Sequence, residues 1–311
     1  MRRAATIVAL LAVTGAATSV AAPTASAETR EFWVAAVPAP TWNMAPNERD
    51  AMAGTMLSPS QTVLPTVVYR RYTPHWGHPV RNIAAGTSNQ DLIPGPLLRA
   101  RAGDRLLVHF KNMDTLYKRP HSMHFHGVHY RPSSDGAFVP GFSGGDGDVK
   151  VGRTWTYDLR AGNDSVGVWP YHDHGPSMDP SIAGGMYGAM SIRGRHEQAP
   201  DREFVVLFSE LGGFETIDGR AFVGNTPVFH SKVGERVQWD VLAMGDAHHT
   251  FHVHGHRWRG ADGIPADTRT LGPAESFRVQ WHEDAPGTWL YHCHVESHMA
   301  NGMIGLYRVS R

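Results

Sequence analysis

The sequence predicts an all-β protein built from two similar β-sandwich domains. Two observations lead to this prediction. One set of motifs occurs twice in the same order, and the segments around the motifs are short, alternate between apolar and polar residues, and are separated by Gly- and Pro-containing turns. Alternation with a period of two is typical of strands that bury one face. We therefore expect antiparallel sandwiches with little helix.

The repeated motifs are rich in histidine. "HSMHFHG" (121–127) recurs as "HTFHVHG" (249–255), and "WPYHDH" (169–174) recurs as "WLYHCH" (289–294). Each first motif follows one alternating segment and each second motif follows another. The shared order indicates two copies of one domain rather than one domain with a chance similarity.

The limits of the two copies follow from the composition between them. A polar, Pro-containing linker, "GRHEQAPDRE" (194–203), separates the copies. We expect a first domain over residues 28–196 and a second domain over residues 197–311. The Gly-rich insert "SSDGAFVPGFSGGDGD" (133–148) is predicted to be a loop.

The N-terminal segment has the composition of an export signal. Arg2 and Arg3 precede an apolar run, and "ASA" (25–27) fits a cleavage site. We predict that residues 1–27 direct secretion by the Sec or the twin-arginine route. The 29 basic residues balance the 29 acidic ones, so no nucleic-acid partner is indicated. No later apolar run is long enough to span a membrane, so no membrane partner is expected.

Four His-x-His pairs indicate metal binding. Residues i and i+2 of a strand point to the same face, so each pair presents two imidazoles side by side. Neutral imidazole is a common metal ligand and suits copper. Chance surface histidines are a poor explanation for eight imidazoles in this pattern. The pairs are His124/His126, His172/His174, His252/His254 and His292/His294.

The only cysteine, Cys293, lies between the two histidines of the last pair. It therefore faces the opposite side of its strand. His249 is an odd number of positions from the third pair and also points to the opposite side. Together with His298 and Met303, these residues offer one thiolate, two imidazoles and a weak axial thioether, which is the ligand set of a blue-copper electron-transfer site. Core packing is the alternative role for Met303.

These motifs resemble those of multicopper oxidases, in particular the small two-domain laccases, over most of residues 40–311. The resemblance implies two cupredoxin-like Greek-key β-sandwich domains, and four copper ions per chain: one type 1, one type 2 and two type 3. It implies that small aromatic donors, phenols and aromatic amines, lose single electrons at the type 1 site. A trinuclear cluster then reduces dioxygen to water. It also implies a ring-shaped homotrimer with the clusters between subunits.

The resemblance assigns ligands by motif position. His249, Cys293 and His298 match the type 1 ligands, with Met303 axial. The remaining histidines match the cluster. The type 2 ligands are His124 and His252, and the type 3 ligands are His126, His172, His174, His254, His292 and His294.

Three further residues match catalytic positions of small laccases. The resemblance places Asp135 and Tyr130 near the type 2 copper, as a proton donor and a redox-active phenol. It makes Asp267 a second acid near the cluster, where four protons are needed for each dioxygen. The alternatives are a turn residue for Asp135 and a loop carboxylate for Asp267.

The first copy lacks the blue-copper residues. His121 occupies the repeat position of His249, but Asp173 occupies that of Cys293, and no histidine matches His298. A carboxylate is a poor substitute for the soft thiolate, so we expect no type 1 copper in the first domain. We predict instead that His121 and Asp173 form a hydrogen bond or an ion pair.

Three other functions are weaker explanations. A two-domain copper nitrite reductase is the main alternative, but its cysteine belongs in the first domain and its catalytic site needs three histidines. A copper-storage protein has no use for a blue site joined to an oxygen-reducing cluster. A dedicated metal oxidase would carry a Met-rich segment, whereas the twelve methionines here are scattered.

Overall fold

The computed structural model describes residues 26–81, 92–260 and 263–311. Nearly all of the predicted export signal (1–27) therefore lies outside the described residues. Among those described, no helix is long and apolar enough to cross a membrane.

Short strands dominate the described residues. The first domain contains β1 (Thr29–Asn43), β2 (Val63–Tyr72), β3 (Leu98–Arg101), β4 (Arg105–Asn112), β5 (His124–Phe125), β6 (His129–Tyr130), β7 (Thr154–Arg160), β8 (Gly167–His172) and β9 (Tyr187–Arg193). The second contains β10 (Arg202–Leu211), β11 (Phe214–Ile217), β12 (Val228–Lys232), β13 (Arg236–Met244), β14 (His249–Val253), β15 (Trp258–Arg259), β16 (Pro265–Ala266), β17 (Thr268–Leu271), β18 (Ser276–His282), β19 (Gly287–Cys293) and β20 (Ile304–Ser310). The α-helices are α1 (Pro59–Thr62), α2 (Met178–Ile182) and α3 (Glu296–Ala300), and 3-10 turns cover Pro74–Trp76, Pro132–Ser134 and Asn163–Ser165.

The two domains share one sheet topology. The first has sheets in the order β2-β1-β4-β7-β6 and β3-β9-β8-β5, and the second has β11-β10-β13-β18 and β12-β20-β19-β14-β17. The core four strands of each sheet therefore correspond one to one between the domains. The prediction of a duplicated, all-β, cupredoxin-like architecture is confirmed.

The sheets are mostly antiparallel, as expected, but the sequence did not predict their parallel pairs. Each of the four main sheets contains one parallel pair: β1–β4, β3–β9, β10–β13 and β12–β20. Parallel and antiparallel strands have the same side-chain period of two, so alternation in a sequence does not reveal strand direction. The parallel neighbours arise from crossovers between strands that are far apart along the chain.

Each domain encloses its own aromatic core, and a third apolar cluster lies between the domains. Trp239 and Phe251 are fully buried in the second core, with ring centroids 5.6 Å apart. The interdomain cluster joins residues such as Val37 and Tyr187 of the first domain to Leu207 of the second. This cluster fixes the position of one half of the chain against the other through apolar burial.

A buried ion pair reinforces the domain boundary. The Arg278 guanidinium donates to both carboxylate oxygens of Asp240, at 2.7 and 3.0 Å. It also reaches across to the first domain, where the Ile192 carbonyl and the Ser191 hydroxyl accept at 3.0 and 2.6 Å. Burial raises the pKa of Asp240 even though Arg278 opposes the shift. Arg278 thus links both domains through one guanidinium group.

Asp240→Ala is expected to lower the free energy of unfolding by about 3–5 kcal/mol, because it leaves the Arg278 charge buried and unpaired. Asp158→Ala is the matched control. Asp158 pairs with Arg105 at 2.7 Å, but its side chain is 43% exposed, so about 1 kcal/mol or less should be lost. Denaturant unfolding measures both variants. Equal losses in the two would contradict the role assigned to Arg278.

Candidate metal centres

The four histidines of the first domain converge at one end of a sheet. β5 and β8 pair antiparallel with His124 opposite His172. The His124 ring centroid lies 5.1 Å from that of His126, 5.4 Å from that of His172 and 5.3 Å from that of His174. The Nε2 atoms of His126 and His172 are 3.2 Å apart. We call these four residues the first half-set.

The second domain repeats this arrangement. β14 and β19 pair antiparallel with His252 opposite His292. The His252 ring centroid lies 5.2 Å from that of His254, 5.4 Å from that of His292 and 5.4 Å from that of His294. The Nε2 atoms of His254 and His292 are 3.1 Å apart. These four residues form the second half-set.

Main-chain carbonyls fix the tautomers of four of these imidazoles. In each case Nδ1–H donates to a carbonyl oxygen, which leaves the Nε2 lone pair available for a cation. The same two kinds of contact occur in both domains. The pairs are His124 with Asp135 at 2.7 Å, His252 with Asp267 at 2.7 Å, His172 with Asp173 at 3.0 Å, and His292 with Cys293 at 2.8 Å.

The electrostatics of the half-sets favour neutral imidazoles. Burial, with smaller contributions from neighbouring histidines, lowers the pKa of His126, His172 and His292 to about 4. Neutral imidazoles with their Nε2 atoms a little over 3 Å apart form a nitrogen donor set that suits copper. The residues present therefore fit the metal that the sequence predicts.

A third group, which we call the sulfur group, lies behind the second half-set and consists of His249, Cys293 and His298. The Nδ1 atoms of His249 and His298 are 3.2 Å apart, and the Cys293 Sγ lies 3.9 and 3.7 Å from them. Cys293 and His249 are fully buried, while the His298 side chain is 17% exposed. Thr250 donates its N–H to the Cys293 Sγ at 3.3 Å. Burial raises the pKa of the Cys293 thiol, so a bound cation is needed to hold the thiolate at neutral pH.

Met303 adjoins this group through the main chain. Its N–H donates to the His298 carbonyl at 3.0 Å, and its carbonyl accepts from the Cys293 N–H at 3.1 Å. The Met303 side chain is buried in the same core cluster as Cys293. The structure thus brings Met303 next to the predicted type 1 ligands, and its axial role stays a prediction.

Strand alternation separates the two kinds of site, as the sequence predicts. Along β14, His249, Phe251 and Val253 are buried in the core, whereas His252 is half-buried on the other face. Along β19, Cys293 lies in the core cluster and the flanking histidines belong to the second half-set. Neighbouring residues of β14 and β19 therefore point to opposite faces of the sheet. The sulfur group lies on one face and the second half-set on the other.

In the first domain a network of carboxylates occupies the place of the sulfur group. The His121 Nδ1 lies 2.7 Å from Asp173 Oδ2, and its Nε2 lies 3.2 Å from Asp114 Oδ2. The other Asp173 oxygen accepts from the N–H groups of Ser122 and Gly175, at 2.8 and 3.1 Å. The predicted His121–Asp173 contact is confirmed. Asp114 was not predicted, and completes an Asp–His–Asp triad.

Within the triad, the two carboxylates and the imidazole stabilise one another's charged forms. Burial alone would lower the pKa of His121, but the Asp173 and Asp114 carboxylates outweigh it and raise that pKa. The same contacts lower the pKa of Asp173 and of Asp114 against the effect of their burial. All three side chains are at most 1% exposed. The protein itself satisfies the polar atoms here.

The predicted acid–base residues lie beside the half-sets. The Tyr130 ring centroid is 6.2 Å from that of His124, and an Asp135 carboxylate oxygen is 3.5 Å from the His124 Nδ1. Burial and the Asp135 carboxylate raise the pKa of Tyr130. In the second domain, the Asp267 carboxylate accepts from Thr268 at 3.1 Å. Asp135 and Asp267 occupy matching places, and their part in proton transfer stays a prediction.

Two carboxylates beside His298 were not predicted from the sequence. Glu215 Oε1 lies 3.7 Å from His298 Nε2, and Glu210 stands directly opposite Glu215 on the β10–β11 ladder. Burial and Glu210 raise the pKa of Glu215 to about 7. Like charges opposed on a ladder are unfavourable, so this pair suggests function. The sequence could have predicted this pairing from the Gly212-Gly213 turn in "SELGGFET". A two-residue hairpin turn at these glycines places the two glutamates opposite each other.

The half-sets lie apart within the chain. In the described ranges, the candidate ligand atoms fall into three separate groups, centred on His124, on His249 and on His252. No ring contact between described residues joins a histidine of the first half-set to one of the second. Each half-set has only half of the eight imidazoles of the predicted cluster.

The fold and these donor groups define a copper protein made of two cupredoxin-like domains. Two family models, both described as multicopper oxidase, match residues 75–197 and residues 197–311. The chain belongs to the multicopper oxidase family.

Individual relatives differ in what they are named for. The chain is 29% identical over 242 residues to a probable nitrite reductase-hydroxylamine oxidoreductase fusion protein of Kuenenia stuttgartiensis, across 70% of this chain and 27% of that protein. It is 28% identical over 276 residues to ferroxidase HEPHL1 of Homo sapiens, across 69% of this chain and 23% of that protein. The chain thus spans about a quarter of the length of these curated relatives.

Solved structures agree on the fold. A crystal structure of a multicopper oxidase superposes with a TM-score of 0.68 and 24% sequence identity, covering 91% of this chain and 89% of that one. At this identity the similarity shows the fold alone.

Asp173→Ala is expected to cost about 3–5 kcal/mol of unfolding free energy in the metal-free protein, because it leaves the His121 Nδ1 and two buried N–H groups without a partner. Asp164→Ala is the control. Asp164 contacts His129 at 2.9 Å with its side chain 71% exposed, so a loss below about 1 kcal/mol is expected. Denaturant unfolding without copper excludes effects of metal loss. Similar values for both variants would refute a structural role for the triad.

Proposed function

We propose that this protein is a secreted multicopper oxidase of the laccase type. It oxidises phenols and aromatic amines by one-electron steps and reduces dioxygen to water, with one type 1, one type 2 and two type 3 coppers per chain. One observation carries the proposal. Cys293 meets His249 and His298 on one face of β19, while the histidines on either side of Cys293 belong to the half-set on the other face.

Bound copper would supply the one-electron acceptor at the sulfur group and the site of dioxygen reduction at the half-sets. The chain supplies the connection. Because His292, Cys293 and His294 are consecutive residues, the path between the two sites is covalent and short. His298 is the partly exposed ligand of the sulfur group, with its side chain 17% exposed. A donor molecule therefore meets the protein at the His298 imidazole edge.

Proton delivery falls to carboxylates beside the half-sets. Asp135 is 40% exposed at its side chain, yet one of its oxygens lies 3.5 Å from the His124 imidazole. It can therefore take protons from solvent and hold them near the cluster. Asp267 occupies the matching place beside His252, to which Thr268 connects it at 3.2 Å. Tyr130, beside Asp135, is a phenol that can supply an electron and a proton together.

The separation of the half-sets supports the sharing of clusters between chains, and the homotrimer that the family resemblance implies is the assembly that we propose. A cluster needs imidazoles from both half-sets, and these lie in different parts of the chain. Head-to-tail association, in which the first half-set of one chain meets the second half-set of the next, completes every cluster when the ring closes. Secretion rests on the predicted signal over residues 1–27.

Oxidation of ferrous iron is a second candidate, which Glu210 and Glu215 favour. Two opposed carboxylates beside the electron-accepting edge supply oxygen ligands that suit a hard divalent cation better than a neutral phenol. The similarity to a ferroxidase points the same way. The scattered methionines argue for organic donors, so phenol oxidation remains the principal proposal.

The copper-loaded protein is expected to hold about four copper ions per chain and to show an intense thiolate-to-copper band in the visible spectrum. Cys293→Ser should abolish the band and about one copper, and keep the type 2 EPR signal, because the half-sets do not contain the cysteine. Oxygen uptake with a phenol completes the assay. About two coppers per chain, without a coupled type 3 pair but with nitrite reduction, would establish the copper nitrite reductase alternative.

Glu215→Gln separates the two donor classes. If ferrous iron is the donor, kcat/KM for Fe(II) should fall at least about tenfold while that for a phenol changes little, since only the cation needs the charge. Glu296→Gln is the control, because Glu296 is an exposed carboxylate on the same helix as His298. A wild-type kcat/KM for Fe(II) far below that for phenols would exclude the ferroxidase candidate.

A further inference from the structure

The Gly-rich insert (133–148) is hydrogen-bonded directly to the first half-set. At its start, the Asp135 carbonyl accepts the Nδ1–H of His124 at 2.7 Å. Three residues later, Phe138 donates its N–H to the carbonyl of His174 at 2.8 Å. The insert therefore contacts two histidines of the half-set, and its position follows theirs.

Hydrogen bonds within the insert define its shape. Gly136 donates its N–H to an Asp146 carboxylate oxygen at 2.9 Å, which closes the base of the loop. The N–H groups of Phe142 and Ser143 both donate to the Val139 carbonyl at 3.0 Å. The Ser143 hydroxyl donates to the Ala137 carbonyl at 2.7 Å. We call residues 139–143 the anchor turn.

The anchor turn presents apolar side chains to solvent. Phe142 is 88% exposed and Val139 is 48% exposed. An aromatic ring that stays in water does not contribute the free energy of its burial. An exposed aromatic residue on an ordered turn therefore marks a contact surface. The turn belongs to the part of the first domain that supports the metal ligands.

The second half-set offers the complementary open surface. His254 and His294 are exposed in the single chain, although they are predicted metal ligands. β17, beside them, is the edge strand of its sheet and carries exposed residues at Thr268 and Thr270. A half-set that needs imidazoles from elsewhere, next to an open edge, indicates that another polypeptide covers this face.

We propose that the anchor turn docks on the second domain of another copy of this chain, beside its second half-set, with Phe142 as the central apolar contact. This inference rests on the proposed function, because the shared cluster is what requires the two half-sets to meet. The partner is a second copy of this chain, because a complete cluster needs the first half-set of one copy beside the second half-set of another. The first half-set is incomplete without it, and the anchor turn is hydrogen-bonded to that half-set.

The test compares Phe142→Ser with Met56→Ser by light scattering over a range of concentrations, with copper counted per chain. Met56 is the matched control, an apolar residue that is 70% exposed and does not belong to the insert. Phe142→Ser should raise the concentration for half-dissociation at least about tenfold. Its dissociated chains should keep the blue band and lose the type 3 signature. Val139→Ser should shift dissociation in the same direction by less.

Three results would overturn the docking proposal. The first is equal dissociation of Phe142→Ser and Met56→Ser. The second is a monomeric wild-type chain that holds a full copper complement and reduces dioxygen, which would leave the proposed oxidase activity intact but remove the homotrimer. The third is Phe142-dependent sedimentation of the wild type with phosphatidylcholine vesicles while Phe142→Ser still oligomerises, which would make lipid the partner. A wild-type oligomer that dissociates through Phe142→Ser but lacks type 3 copper would instead support docking and refute the proposed function.

Discussion

The alternation of side chains along a β-strand is the constraint on which both metal groups depend. On β19, His292 lies in the second half-set while Cys293 turns into the core toward His249. A shift of one residue in either strand would exchange the two faces and destroy both sites. The register of β14 against β19, in which Phe251 faces Cys293 and His252 faces His292, therefore sets the composition of each site and the one-residue separation between them.

The same constraint explains why the local part of the site can be predicted from the sequence and the rest cannot. The faces of His249, His252 and Cys293 depend on parity alone, which is readable along the chain. Asp114 completes the triad through a contact that parity does not encode. Strand direction is equally invisible, because β1 and β4 are parallel only through their crossover. The position of Glu215 is partly predictable. The Gly-Gly turn predicts that it stands opposite Glu210, but its proximity to His298 depends on the fold.

The main-chain anchors of the ligand imidazoles are the same in both copies of the domain. In both domains the first imidazole of the first pair donates to a loop carbonyl at 2.7 Å, from Asp135 in one and Asp267 in the other. A carbonyl acceptor exists whatever side chain the residue carries, so the tautomer of the ligand survives substitution at that position. The carboxylates of these residues are then available for another task.

The sulfur group of the second domain and the Asp–His–Asp triad of the first occupy matching places, and their comparison shows what a metal would contribute to the fold. In the first domain, carboxylates or main-chain donors satisfy the polar atoms of His121 and Asp173. In the second, His249 and His298 turn Nδ1 atoms toward each other and toward a thiol, and the buried His249 Nε2 has no hydrogen-bond partner among the described residues. One proton can make only one of the two facing nitrogens a donor, whereas a cation between them would accept both lone pairs. The second group is therefore organised for a metal, whereas the Asp–His–Asp triad holds the same strand crossing with protein alone.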